Sequence, residues 1–330
     1  MTTTTLPDAS ARVPSRLRST LLTAVAPAVW GSTYIVTTEL LPTGHPMFAA
    51  LVRALPAGLL AVAISRTLPR GAWWWRAAVL GTLNIGIFFP LLFITAERLP
   101  GGVAATLGAT QPIIVALLAV AVLDERLSRW RLGWGVVGVI GVALVVLGPG
   151  AAVDVVGTVA GLTGAASMGL GVILTKRWGR PDGVGPVAYA GWQLTAGGLV
   201  LLAPTLLIEG VPQRIDAPAV AGYLWLGVLG GLLAYTLWFT GLRRLPVTAT
   251  ALLGLLSPLV AATLGALVLG QTLAPVQLVG FALALTALAA GQLAPREPRH
   301  PPARRRSAPR ATSRSVVRHS GGSDVVRKLP

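Results

Sequence analysis

Cysteine is absent from the 330 residues, and histidine occurs only at His45, His300 and His319. That excludes a disulfide framework, a thiolate nucleophile and a cysteine metal site. Two of the three histidines sit in a polar tail, so histidine metal or acid–base chemistry has almost no material. Charge is scarce too. Asp, Glu, Lys and Arg make up 12% of the chain against 54% hydrophobic residues, whereas a soluble domain carries about 25% charged residues. The chain lacks the polar surface to coat a water-soluble globule. Its mean hydropathy of +0.72 overrides the two soluble domains that length alone suggests and indicates a polytopic membrane protein. No phosphate-binding GxxxxGK[ST] loop is present, which excludes direct drive by ATP. The "GLG" at 169–171 follows no strand and carries no nucleotide-binding meaning.

What the chain has is long apolar runs. A spanning helix needs about 20 apolar residues. That window predicts an all-α membrane protein with ten transmembrane helices, near 21–40, 46–65, 77–96, 101–123, 132–147, 156–175, 186–208, 220–242, 248–269 and 276–293. With the N-terminus inside, 24 of the 27 Lys and Arg residues fall on the inner side and two, Arg98 and Arg214, on the outer; Arg53 is the one left. The positive-inside rule therefore places both termini in the cytoplasm, and a bacterial plasma membrane is the expected location. Residues 1–20 form a polar, mildly basic segment without a convincing cleavage site, so the first helix is expected to be an uncleaved anchor. The Pro/Arg/Ser-rich tail over 295–330 is expected to be disordered and drawn to anionic lipid headgroups, not to nucleic acid.

The chain also repeats itself. "LGTLNIGIFFPLLFITAERLP" (80–100) aligns without gaps to "LGVLGGLLAYTLWFTGLRRLP" (226–246), with 8 of 21 positions identical. The same 146-residue offset sets Pro112 on Pro258, and an offset of 140 pairs Pro46 with Pro186 and Arg53 with Gln193. Two units follow, 21–147 and 156–293, each of five helices. Five is odd, so the second copy is expected to lie upside down relative to the first. Inverted repeats of this kind underlie alternating access, with the substrate near the midplane.

Four segments carry a resemblance: "WGSTYIV" in the first helix, Pro46 and Arg53 in the second, "ATQPIIVALLAVAVLDERLS" in the fourth and "LLSPLVAATLGALVLGQTLA" in the ninth. Over 21–293 the chain resembles the EamA-type transporters of the drug/metabolite transporter superfamily. The resemblance implies a ten-helix transporter of small polar metabolites, often an exporter of amino acids. It also implies a motif glutamate at the cytoplasmic end of the fourth helix, here Glu125. In the second repeat Gln271 stands where that glutamate is normally repeated.

Candidate substrate contacts are polar and aromatic residues away from the interfaces. They are Trp30, Ser32 and Tyr34 in the first helix, Arg53 in the second, Asn84 and Phe88 in the third, Trp192 and Gln193 in the seventh, and Tyr235 and Trp238 in the eighth. Gln111 and Ser257, beside the prolines, complete the set. Such a mix suits an amphipathic solute; buried packing and interhelical hydrogen bonding are the other roles these residue types fill. Pro112 and Pro258 are expected to bend their helices and free carbonyls. Trp73, Trp74 and Trp75 read as an interfacial belt. The pairs Gly157/Gly161 and Gly227/Gly231 read as close helix contacts. An uncompensated arginine at a helix centre costs about 2.5–3.5 kcal/mol on insertion scales. Arg53 is therefore expected to face the interior. It either attracts a substrate carboxylate or has a structural role against carbonyls or an acid, with Glu39 nearest by depth.

These features favour a secondary transporter, with a lipid flippase or non-transporting scaffold of the same fold as the alternative. An intramembrane enzyme would need clustered nucleophile, acid and base groups, and the helices lack them. Neither a metal nor an organic cofactor is implied.

Overall fold

A computed structural model describes residues 12–99, 107–124, 128–146, 154–268, 270 and 274–293. Glu125, Gln271 and the tail after 293 lie outside the described residues. Those described are all-helical. We label the helices α1 (Arg16–Leu40), α2 (Pro46–Ser65), α3 (Trp73–Arg98), α4 (Gln111–Leu123), α5 (Arg129–Val146), α6 (Val155–Trp178), α7 (Pro186–Glu209), α8 (Ala217–Arg244), α9 (Val247–Val268) and α10 (Pro275–Gln292). All except α4 and α5 count as long and apolar enough to cross a membrane, eight in total. Large apolar side chains cover the outside of the bundle, with Leu207 84% and Leu267 77% exposed. Such a surface calls for lipid as its solvent.

The two ends of the bundle differ in charge, and helix capping explains much of it. At one end acids cap helix N-termini. Asp154 Oδ1 accepts from the Gly157 amide at 2.7 Å, Asp216 Oδ1 from Ala219 at 2.9 Å, and the Glu209 carboxylate from Met47 and Phe48 at 2.8 and 2.7 Å. At the other end cations hold C-terminal carbonyls: Lys176 Nζ donates to Leu242 and Leu245, and Arg177 to Val122. Each charge sits where the helix dipole favours it. Trp73, Trp74 and Trp75 lie at this Arg-rich end. Trp74 and Trp75 are exposed, while Trp73 packs on Tyr189 and Trp192.

Packing is set by glycine. α2 lies against α7, where a Cβ at Gly191 would fall 2.7 Å from that of Ala61 and one at Gly198 2.7 Å from that of Leu55. α5 lies against α10 in the same manner, a Cβ at Gly141 falling 2.6 Å from the Ala284 amide. α3 packs on α6, and α1 on α8. Gly157 meets Leu99, and Gly231 meets the Arg53 carbonyl, so both small-residue pairs contribute a close contact.

Two kinds of irregularity recur in both halves. α3 winds as a π-helix over Thr82–Ile87, and α8 over Trp225–Leu233. Of the stretch expected as one helix over 101–123, residues 107–108 are helical, a turn interrupts at 109–110 and the helix resumes at Gln111; α9 breaks in the same way at 254–255. Pro112 and Pro258 therefore stand in the first turn of a helical segment instead of kinking a continuous one, because proline tolerates the first turn and disrupts the interior. At the second break the Gly254 carbonyl, four residues before Pro258, accepts from the Ser257 amide at 3.0 Å.

Candidate functional site

Inside the half of the bundle nearer the acid-bearing end lies a cavity of about 100 Å³. Its wall extends from Thr95, one turn from the end of α3, down to Met168 and Arg53. Residues of both helix breaks line it, and the π-helical turns of α3 and α8 end just before Phe88 and Tyr235 on its wall. Gly108 and Gly254, which the 146-residue offset superposes, both line it.

Arg53 is 2% exposed. Its guanidinium lies 4.4 Å from the Phe89 ring centroid, a cation–π distance. One nitrogen, Nη2, donates to the Gly230 carbonyl at 3.4 Å, while Nε and Nη1 have no partner. Gly230 belongs to the π-helical turn of α8, and the same carbonyl accepts from Trp30 Nε1 at 2.8 Å. The absent side chain matters, because a Cβ at 230 would lie 3.4 Å from Nη2. Glu39, the acid nearest in depth, is exposed and accepts from Thr38, so the carbonyl arrangement holds and the ion pair does not form. The one ion pair among the described residues is Arg98–Asp154 at 3.9 Å.

Aromatic rings frame the rest. Trp30 stands 5.1 Å from Tyr235 and 5.2 Å from Trp238. Trp238 Nε1 and Gln111 Nε2 are buried and unpartnered, like the two arginine nitrogens. The cavity thus collects donors that lack acceptors.

Of the residues picked out from the sequence, Trp30, Tyr34, Arg53, Phe88, Gln111, Tyr235, Trp238, Ser257 and Pro258 line this one cavity. Others serve different ends. Ser32 donates to the Val29 carbonyl at 2.7 Å and accepts from Trp225 Nε1 at 2.8 Å, which ties α1 to α8. Trp192 donates to the Thr67 carbonyl at 2.7 Å near the Arg-rich end, away from the cavity. In both, a polar group at depth is satisfied by backbone or a neighbouring ring. Pro112 shapes the start of α4. Asn84 and Gln193 form a separate layer on the Arg-rich side. Asn84 Nδ2 donates to Gln193 Oε1 at 2.8 Å and lies 3.5 Å from Thr175 Oγ1, and Tyr235 donates to the Asn84 carbonyl at 3.3 Å. Asn84 fits because it packs on Gly171, whose Cβ would occupy the same space.

Sequence reasoning missed the small-residue wall of α6, which includes Gly161, Gly164 and Ala165. Gly161 was visible, but only as a packing residue, and a Cβ there would indeed lie 2.8 Å from Leu107. The same absence of side chain serves packing on one side and leaves room on the other.

Comparison with known proteins follows the fold. A crystal structure at 19% identity matches with a TM-score of 0.69, covering 84% of this chain and 96% of that one. Protein PecM of Dickeya dadantii is 46% identical over 263 residues, covering 80% of this chain and 88% of its own. The WAT1-related protein At3g02690, chloroplastic, of Arabidopsis thaliana is 30% identical, covering 78% and 66%. The uncharacterized inner membrane transporter YedA of Escherichia coli (strain K12) is 27% identical, covering 79% and 87%. The sequence matches the EamA-like transporter family over residues 17–147 and again over 155–290, and the chain is a membrane protein belonging to that family.

Proposed function

We propose that the chain is a secondary transporter, not an enzyme, and that it exports a small amphipathic metabolite bearing a carboxylate or another anionic acceptor group by alternating access. One observation carries this reading. Arg53 Nε and Nη1, Gln111 Nε2 and Trp238 Nε1 are buried around one cavity without acceptors. A buried donor left unpaired costs about 1–3 kcal/mol, more when charged. A ligand rich in acceptors relieves that cost, and the aromatic walls suit its apolar part.

Alternating access rests on further support. The family matches in two segments of the chain. The contacts α1–α8 and α3–α6 exchange under the repeat, and α2–α7 and α5–α10 map onto themselves. This is the pattern expected of ten spans in two inverted five-helix repeats. The cavity, at about 100 Å³, is smaller than the roughly 150 Å³ that admits benzene. A solute of amino-acid size therefore requires the helices to part. With the Arg-rich end and both termini in the cytoplasm, this conformation holds its cavity in the outer half and is closed within by the Asn84–Gln193 layer. No acid stands among the described lining residues, which favours facilitated flux over a proton relay.

The test is flux into proteoliposomes of three solutes sharing one ring: N-acetylphenylalanine, phenylalanine and phenylalaninamide. Transport of the anion or zwitterion, with the cation excluded, is expected. Flux of a labelled phospholipid without flux of any of the three would establish the flippase instead.

A further inference from the structure

A groove of about 400 Å³ runs between α2 and α8 on the outside of the bundle, apart from the cavity that holds Arg53. We propose that it binds one acyl chain of a phospholipid from the leaflet at the acid-bearing end, with the ester carbonyl of that chain at Tyr223. This needs only a bilayer around the chain and stands apart from the transport reading.

Helix periodicity makes the groove. α2 presents Phe48, Val52, Pro56 and Leu60, and α8 presents Val220, Leu224 and Val228, each set at every fourth position. Both helices start at the acid-bearing end, where Glu209 and Asp216 cap them, so the two stripes run in parallel. From Phe48 to Leu60 is about 18 Å at 1.5 Å per residue. That is close to one leaflet, half of a hydrocarbon core about 30 Å thick. Gly227 forms part of the floor. A Cβ there would lie 3.7 Å from the Val52 and Arg53 carbonyls, so the missing side chain deepens the groove. Leu60, Ile215, Val220, Leu224 and Val228 are exposed, and such a rim belongs in lipid. No charged residue stands among the described lining residues, so an anionic solute finds no counter-charge there.

One polar group interrupts the apolar lining. Tyr223 is 7% exposed, its ring packs edge-on against Phe48 at 5.7 Å between centroids, and its hydroxyl is buried without a partner. It is the seventh residue of α8, about 9 Å along the axis, and a long side chain in a helix leans back towards the N-terminus. The hydroxyl therefore lies near the level of the membrane interface, where tyrosine is favoured and where phospholipid esters lie. A buried donor without an acceptor is costly. An acyl chain is apolar along its length and carries an acceptor at its ester end, which matches the groove in length and in polarity.

The test uses the full chain in phosphatidylcholine vesicles that contain a trace of phosphatidylcholine bearing a diazirine midway along one acyl chain. Light expels nitrogen, and the carbene inserts into whatever it touches. Residues 48–60 and 220–228 are expected to carry roughly three- to tenfold more label than α10, the worth of one hydrogen bond; Leu278, Val279 and Leu285 of α10 are comparably exposed. Tyr223→Phe removes only the hydroxyl and should erase most of that excess. The dialkyl-ether analogue of the probe lacks the carbonyl and should label the wild type no better than the ester labels Tyr223→Phe. Gly227→Leu fills the floor and should bring the groove down to the level of α10. Even labelling of the wild type overturns the proposal, and so does an excess that neither Tyr223→Phe nor the ether probe lowers. Less label in the groove than on α10 assigns it to a second copy of the chain, and an excess lost on adding N-acetylphenylalanine assigns it to the solute; either result overturns the proposal as well.

Discussion

Asn84 meets Gln193 through a 2.8 Å hydrogen bond, and the repeat turns that contact into the one between Gly230 and Arg53. The 146-residue offset sets Asn84 on Gly230, and the 140-residue offset sets Arg53 on Gln193. One half closes its side of the site with a neutral amide pair. The other presents a guanidinium to a bare carbonyl, with two nitrogens unsatisfied. In the proposed transport reading, the same structural position serves as a seal in one repeat and as a ligand site in the other.

The seal is testable by a double-mutant cycle. Asn84→Leu or Gln193→Leu leaves one buried amide without its partner, which should cost about 1–3 kcal/mol. The double variant should lose less than the sum of the single losses, because contacting residues couple. Thermal unfolding in detergent measures all three. Strict additivity would mean that the pair does not hold the two helices together.

Gly191 sits where α7 touches α2. Gly191→Val forces extra volume between two backbones and should destabilise by about 1–3 kcal/mol, the usual cost of overpacking. Gly71→Val serves as the comparison for lost expression, since Gly71 has open space around it but a positive φ of 53°. Equal stability of Gly191→Val and the wild type would show that α2 and α7 are further apart than described.

Glu209 caps α2 from a distant part of the chain. Glu209→Ala removes two acceptors from the helix start and should cost about 0.5–2 kcal/mol, as cap losses do. Glu209→Gln retains one acceptor oxygen and should lose less. The melting temperatures of the two variants, compared with wild type, decide this.

Reporter fusions test the inverted arrangement directly. Fusions at Asp154 and Asp216 should report the outside, and at Gly71 and Asp182 the inside. Asp154 and Asp182 on the same side would contradict an α6 that crosses the membrane.

Much of this was legible in the sequence, because lipid simplifies the physics. Every spanning segment must satisfy its own backbone, so the apolar runs mark the helices, and the ends of α2 and α7 fall within a residue or so of the runs at 46–65 and 186–208. Arg53 was legible for the same reason: a charge in such a run demands explanation. Less legible were the π-turns in α3 and α8, since no residue type encodes the widened winding that presents the Gly230 carbonyl to Trp30 and Arg53. Ser32 and Trp192 resembled site residues because burial and polarity look alike in sequence, whether the partner is a solute or a backbone carbonyl. Only tertiary geometry distinguishes them.

The central claim is that Arg53 binds an anionic group of the solute, and the most direct measurement is the concentration dependence of N-acetylphenylalanine flux in Arg53 variants, with folded protein quantified alongside. Arg53→Gln copies the residue of the second repeat. It should raise the half-saturating concentration by roughly ten- to a hundredfold, the equivalent of about 1.5–3 kcal/mol for a hydrogen bond to a charged group. Arg53→Lys keeps the charge but loses the planar fork, so it should fall between Arg53→Gln and wild type. Unchanged half-saturation in both folded variants would contradict the account and leave Arg53 as a structural residue held by Phe89 and the Gly230 carbonyl.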